Sequence, residues 1–300
     1  MHRRQLLALG SALALAGCQT PPASPPAPPA LPPAPPPPRA PLRPPRLGLA
    51  LGGGAARGFA HIGVIQVLEE AGIRPDLVIG TSAGSLVAAL YASGKSGVEL
   101  ASLAQTMDET AITDWAFPGR GLIRGEALAR YVREHTGGRP IEQMRLSLGI
   151  VATDLDNGQG IVFRSGDTGT AVRASSAVPA VFQPVRIGAR EYVDGGLVAP
   201  VPVRYARQMG AKLVIAVDIS EAPEGAPTGD AMRMLLQTFS IMGRSINQFE
   251  LREADIVLRP KLAGVSGADF SARRRSVQAG RDAALAMLPD LRLRLLELTQ

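Results

Sequence analysis

Leu77-Val78-Ile79-Gly80-Thr81-Ser82-Ala83-Gly84 decides how this chain is read. An apolar run beginning at Asp76-Leu77-Val78-Ile79 enters a G-x-S-x-G segment, and a helix-like stretch from Ala83 to Ser93 leaves it. A serine between strand and helix is lifted out of a tight turn, so that its Oγ faces a cleft while the helix begins beneath it. Glycines on either side let the backbone turn tightly. The pentapeptide alone also fits a Gly-rich turn with a capping serine. The strand before it and the helix after it favour a nucleophile.

The same alternation extends outward in both directions. Apolar strand-like runs stand at Leu47 to Leu51, Leu146 to Ala152, Ile161 to Phe163, Leu213 to Val217 and Ile256 to Leu258. Helical spacing appears at Phe59 to Glu70, Glu99–Met107, Glu126–Glu134, Val203–Gln208, Met232–Leu251 and Ser276–Leu296. Strands separated by helix-length segments predict βαβ units and a largely parallel sheet in one α/β domain over residues 46–300.

The first 45 residues do not belong to that domain. Arg3 and Arg4 precede an apolar run from Leu6 to Ala16. The run is shorter than the ~20 residues a spanning helix needs and has the length of a signal-peptide core. It ends in Leu15-Ala16-Gly17-Cys18, which resembles the lipobox of bacterial lipoprotein signals. The resemblance implies cleavage after Gly17, lipidation of Cys18 and, because Gln19 rather than Asp follows, an outer-membrane anchor facing the periplasm. Arg3-Arg4-Gln5-Leu6-Leu7 faintly resembles a twin-arginine export signal. Residues 18–45 are dominated by proline, which fixes φ and removes the N–H. An extended polyproline tether reaching ~80 Å at ~3.1 Å per residue is expected.

Charge and cysteine usage remove several function classes. The net charge is +6, but Arg3, Arg4, Arg39 and Arg43 all precede residue 46 without a compensating acid. The domain keeps 28 basic against 26 acidic residues, so its basic pI is no argument for nucleic acid. Cys18 is the only cysteine, which leaves the domain without a disulfide, a thiolate metal site or a cysteine nucleophile. No His-rich or clustered-carboxylate set implies a metal, and no cofactor is expected.

Two further segments carry chemistry. Gly52-Gly53-Gly54-Ala55-Ala56-Arg57-Gly58 lies between a strand and a helix, where backbone N–H groups gather at a positive helix terminus. A dinucleotide fingerprint counted from Gly52 would need glycine or alanine at Arg57, and a P-loop would need lysine at Phe59. An oxyanion hole or a tight packing turn remains. Asp194-Gly195-Gly196 follows Glu191-Tyr192-Val193 and places an acid at a strand end, in a sequence that also fits an Asx turn. The histidines are His2, His61 and His135, so none follows Asp194. A triad in the order Ser, Asp194, His is excluded. His61 is expected to pack or cap, and a carboxylate is left as the direct base for Ser82.

A glycine-rich loop, G-x-S-x-G and D-G-G, in that order and without a triad histidine, resemble the patatin-like phospholipases. The match runs from Leu47 to about Pro260. It takes in Ala152-Thr153-Asp154-Leu155-Asp156, Ala174-Ser175-Ser176-Ala177-Val178-Pro179 and Asp194 through Pro202. The resemblance implies a three-layer α/β/α fold with a mostly parallel central sheet. It also implies a Ser82–Asp194 dyad, an oxyanion hole at Gly53, Gly54 and Ala55, and a lipid or fatty-acyl ester substrate. Arg57 is expected either to meet substrate phosphate, to shape the loop, or to sit in an exposed ion pair. In the family the loop usually reads G-G-G-x-R/K-G, so Ala55 stands where a third glycine is usual. A positive φ there would cost alanine about 1–2 kcal/mol. The rival readings are a non-catalytic lipid-binding or envelope scaffold and an acyltransferase.

Overall fold

The buried runs Leu47–Leu51, Leu77–Thr81 and Leu213–Val217 are each followed by a helix that carries the chain back to the sheet's starting edge, and this repeated return produces parallel pairing. The computed structural model describes residues 46–116, 120–220 and 228–299. The expected signal segment 1–17 and tether 18–45 lie outside the described residues. The strands are β1 (Leu47–Leu51), β2 (Leu77–Thr81), β3 (Gly121–Ile123), β4 (Ser147–Asp154), β5 (Gly160–Phe163), β6 (Ala180–Phe182), β7 (Val185–Ile187), β8 (Arg190–Asp194), β9 (Leu213–Val217) and β10 (Ile256–Leu258). The helices are α1 (Phe59–Glu70), α2 (Ala83–Ala92), α3 (Gly97–Thr106), α4 (Glu126–Thr136), α5 (Thr168–Ser175), α6 (Val203–Gln208), α7 (Ala231–Glu250) and α8 (Arg273–Thr299).

The main sheet runs β10-β9-β1-β2-β4-β8-β7, with β5 on the other edge of β4. From β10 to β4 all pairings are parallel; β5, β8 and β7 join antiparallel. A separate parallel pair joins β3 to β6. Alternate side chains of the parallel strands enter two cores. Leu49, Leu51, Val78, Ile150 and Ile215 face one, with residues of α1–α4 and α8. Ala50, Ile79, Val151, Val214 and Ala216 face the other, with residues of α6. Both faces are covered, so the strands read as continuous apolar runs.

The register of β4 positions the site. Its residues Ser147 to Val151 pair with β2, and Ala152 to Asp154 pair with β8. Because β5 spans Ile150 to Thr153, β5 occupies the opposite edge. Strands β2 and β8 therefore meet end to end along one edge of β4. Thr81 lies opposite Val151 and Asp194 opposite Ala152, so Ser82 and Asp194 emerge at adjacent register positions.

Candidate active site

Strand β2 ends at Thr81, and the turn it enters has a conformation that the glycines do not carry. Ser82 itself has φ 53 and ψ −124. Gly80 and Gly84 are not at positive φ. Their missing Cβ atoms allow close approach: a Cβ on Gly80 would overlap the Gly84 carbonyl, and one on Gly84 would overlap the Leu51 carbonyl. The pentapeptide thus places α2 hard against β1 and β2, and the strain of order 1–3 kcal/mol falls on the serine.

That strain has local support. The Ser82 N–H donates to Ser175 Oγ at 2.8 Å, and Ser175 is buried at the end of α5. Thr81 Oγ1 donates to the Ala199 carbonyl at 2.8 Å. Ser175 carries no role in the sequence reading, although it lies within the Ala174–Pro179 stretch. Its signal was a serine that becomes a hydrogen-bond acceptor only once α5 is folded. Ser175→Ala should leave the Ser82 N–H unpaired in a largely buried place and lower stability by about 1–3 kcal/mol. Thermal unfolding reads this directly, and Ser175→Thr, which keeps the acceptor, should recover part of the loss.

Asp194 is held from three sides. Its N–H donates to the Ala177 carbonyl at 3.0 Å, its carbonyl accepts from Thr153 Oγ1 at 2.8 Å, and its Oδ1 accepts the Gly196 N–H at 2.7 Å. Its Oδ2 is buried without a hydrogen bond of normal geometry among the described residues. The Ser82 hydroxyl is near enough to favour the carboxylate, but the two do not form a well-aligned bond. Contacts of this kind are often loose before substrate arrives. Burial pushes the Asp194 carboxyl up to about 6, against the Gly196 and Ser82 interactions that pull it down. An acid with that value is a far better proton acceptor at neutral pH than an exposed aspartate.

The glycine loop differs from expectation in one donor. The Gly53 N–H is committed to the Pro200 carbonyl at 2.9 Å, so it is not free to meet an oxyanion. The Gly52 N–H is committed to Val217 and the Ala56 N–H to Gly267. Among the described residues, no acceptor takes the N–H of Gly54 or Ala55. Gly53 instead fixes the loop to the Asp194–Pro202 stretch, and its position would bring a Cβ to 3.2 Å from Ser82 Cβ. Ala55 has φ 48, the left-handed region, where alanine carries the cost of about 1–2 kcal/mol that glycine would avoid.

Two basic side chains hold the loop rather than any substrate. Arg57 is only 8 % exposed, which excludes the exposed ion pair. Its Nε donates to the Ile219 carbonyl at 2.8 Å, and its two terminal nitrogens donate to Val265 at 3.2 Å and Ser220 at 2.8 Å. His61 is fully buried in α1, where its Nε2–H donates to the Gly52 carbonyl at 2.8 Å. Burial lowers its pKa to about 4, so the ring is neutral at pH 7. Neither His61 nor His135 lines the cavities at Ser82; His135 packs edge-on against Tyr131 on α4.

Two cavities meet at the serine. One, with about 950 Å³ of empty space including its mouth, is lined by apolar side chains of α1, α2 and α3, among them Phe59, Leu86, Leu90 and Leu100, and by Met107 just past α3. The other, about 1500 Å³, contains Gly54, Asp194, Gly196 and one side of α7. Ser82, Ala55, Val178 and Phe182 border both.

The loop, the strained serine and Asp194 now stand in one place, and the three stretches noted in the sequence brace them. A family model described as patatin-like phospholipase matches residues 49–207. The chain belongs to the patatin-like phospholipase family. An uncharacterized NTE family protein of Mycobacterium bovis is 37% identical over 190 residues, covering 62% of this chain and 52% of its own. Another from Mycobacterium tuberculosis is 30% identical over 275 residues, covering 82% of this chain and 47% of its own. Patatin-like phospholipase domain-containing protein 6 of Mus musculus is 34% identical over 59% of this chain and 14% of its own length. The chain thus spans about half the length, or less, of these curated relatives. Among solved structures, VipD from Legionella pneumophila superposes with a TM-score of 0.60 at 16% identity, over 82% of this chain and 67% of its own. That likeness agrees with the mixed α/β patatin fold, a mostly parallel sheet flanked by helices.

Proposed function

We propose that the protein is a serine acyl-ester hydrolase acting on lipids, with Ser82 as nucleophile and Asp194 as its direct base. The observation that carries this reading is the position of Ser82, at the junction of an apolar cavity and a second one holding Asp194 and the unclaimed N–H of Gly54. A fatty-acyl chain fits the apolar side, and the alcohol portion fits the other. Membership of a family described as phospholipases, and relatives bearing that name, support the lipid class.

In the reaction, Asp194 takes the Ser82 proton as Oγ bonds to the ester carbonyl carbon. The oxyanion so formed is met by the N–H groups of Gly54 and Ala55, each such donor typically worth about 100- to 1000-fold in rate. The tetrahedral intermediate collapses, the alcohol leaves with the proton from Asp194, and an acyl-serine remains. Water then attacks the acyl carbon, giving its proton to Asp194, and release of the fatty acid returns a proton to Ser82. Labelling with a serine-directed fluorophosphonate, read by mass spectrometry, tests the assignment. An adduct on Ser82 supports it; a folded protein that takes no adduct anywhere is the lipid-binding scaffold instead.

Location belongs to the same proposal. Cys18 would carry lipid, with residues 18–45 as the tether that keeps the domain within reach of an ester-bearing surface and so raises the effective substrate concentration. In cells fed labelled palmitate, label should appear on the protein and disappear in Cys18→Ser. Label retained in Cys18→Ser would end the lipoprotein reading.

A further inference from the structure

Helix α7 is fastened at one end and uncovered along most of its length. Of its 20 residues only Asn247 and Glu250 are buried, with Asn247 bonded to Ser220 and Val201 and Glu250 paired with Arg204 at 2.6 Å. Leu236, Phe239 and Met242 line the wider cavity beside Asp194. The rest of the apolar set turns to solvent: Met234 is 58% exposed, Ile241 54% and Phe249 65%. Met234 and Ile241 are seven residues apart, as are Leu235, Met242 and Phe249, and a heptad step drifts only ~20° around a helix. They lie on the exposed side of the helix with Thr238 and Ser245 among them, and Arg233, which pairs with Asp230 at 3.2 Å, and Arg244 run along one border, with no acidic residue between Asp230 and Glu250.

A second element points to the same place. Strand β6, whose Val181 and Phe182 line the wider cavity, is paired with β3. On and beside β3, Leu122 is 46% exposed and Trp115, which bridges to Ile123, is 74% exposed. Two walls of one cavity therefore continue outward into uncovered apolar side chains, one of them a tryptophan, the side chain enriched where protein meets lipid headgroups.

We propose that the exposed apolar side of α7, together with Trp115 and Leu122, is a docking surface for a lipid bilayer with anionic headgroups, set around the mouth of the Ser82 cavities. The proposal rests on the lipid-ester reading above. An amphipathic helix with arginines along one border of its apolar face lies in the interfacial plane and is drawn to anionic lipid. Among the described residues no helix is long and apolar enough to cross a membrane, so a docked α7 would lie along the surface rather than span it. A second copy of the chain fits this face less well, because a twofold contact would set the arginine-bordered face of α7 against itself with no acidic residue between Asp230 and Glu250 to answer it.

The test uses the full chain carrying Cys18→Ser and Ser82→Ala, so that neither lipidation nor turnover contributes, in co-sedimentation with vesicles of phosphatidylglycerol and phosphatidylcholine. The protein should bind, more weakly to pure phosphatidylcholine. Adding Met234→Ser, Ile241→Ser and Phe249→Ser should weaken binding by about tenfold or more. Leu285→Ser with Leu293→Ser, at 49% and 58% exposed on α8, should leave it unchanged. With Ser82 restored, the α7 triple variant should keep turnover of a soluble short-chain ester. Three results overturn the proposal: no vesicle binding at all, binding by the triple variant within about twofold of its parent, or a dimer that the triple variant dissociates. Failure of the hydrolase reading is separate, since it shows as absent fluorophosphonate adduct while vesicle binding persists.

Discussion

Ser82→Ala should abolish ester hydrolysis, a loss of ~10⁶-fold where a nucleophilic serine acts as a unit with its base, while the unfolding midpoint stays nearly where it was. The side chain faces two cavities, so its loss removes little packing. The backbone argument points the same way. Ser82 sits at φ 53, and alanine meets the same steric cost there as serine, so the strain at the turn is unchanged. Ser82→Gly provides the contrast: it should be equally inactive yet more stable, by up to about 1–2 kcal/mol, because glycine relieves that strain. Two dead variants with opposite stability signatures would separate the hydroxyl's chemistry from the backbone's geometry. Comparable turnover by Ser82→Ala would remove Ser82 from the mechanism.

The parallel half of the sheet was legible because its strands are covered on both faces and read as uninterrupted apolar runs. Leu47–Leu51, Leu213–Val217 and Ile256–Leu258 have the bounds read from the sequence, as do Phe59–Glu70 and Val203–Gln208. Helix α3 starts at Gly97 rather than Glu99 because Ser96 caps it in a reciprocal box with Glu99. What escaped is short or polar. Strands β3, β6 and β7 have three residues each and are only partly buried, without the covered apolar run that marks the equally short β10, and α5 is a polar helix whose consequence is to deliver Ser175. At the site, the residue types were legible and the donor directions were not. Gly53 looked like an oxyanion donor until Pro200, far along the chain, claimed its N–H. Arg57 could be read as a substrate cation until three carbonyls from residues 219, 220 and 265 surrounded it. Sequence names which groups exist, but only the tertiary fold says which are already spent.

Asp194→Asn should cost ~100- to 10,000-fold in turnover, the scale of general-base loss, and it should also change how stability depends on pH. Activity of the unaltered protein should rise with pH through about 6, as the buried carboxyl loses its proton. Stability runs the other way. The folded state holds this proton more tightly than the unfolded chain, whose carboxyl titrates near 3.8, so stability from Asp194 falls as pH climbs from about 4 to about 6. The total is about 3 kcal/mol at ~1.4 kcal/mol per pH unit. His61 opposes it. Its folded value of about 4 lies below the ordinary 6.5, so the unfolded chain binds the extra proton and stability from His61 rises across nearly the same window, by about 3 kcal/mol. In the unaltered protein these two contributions nearly cancel between pH 4 and 6.5. Asparagine keeps the shape and can still accept the Gly196 N–H, but it does not titrate. Asp194→Asn should therefore expose the His61 slope, gaining stability with rising pH and exceeding the parent above about pH 6, where the parent must bury a charge. Denaturant midpoints at pH 4.5 and 7.5 measure the difference. Parallel pH profiles for the two proteins would show that Asp194 is ionised without cost and is not the raised-pKa base, whatever its position beside Ser82.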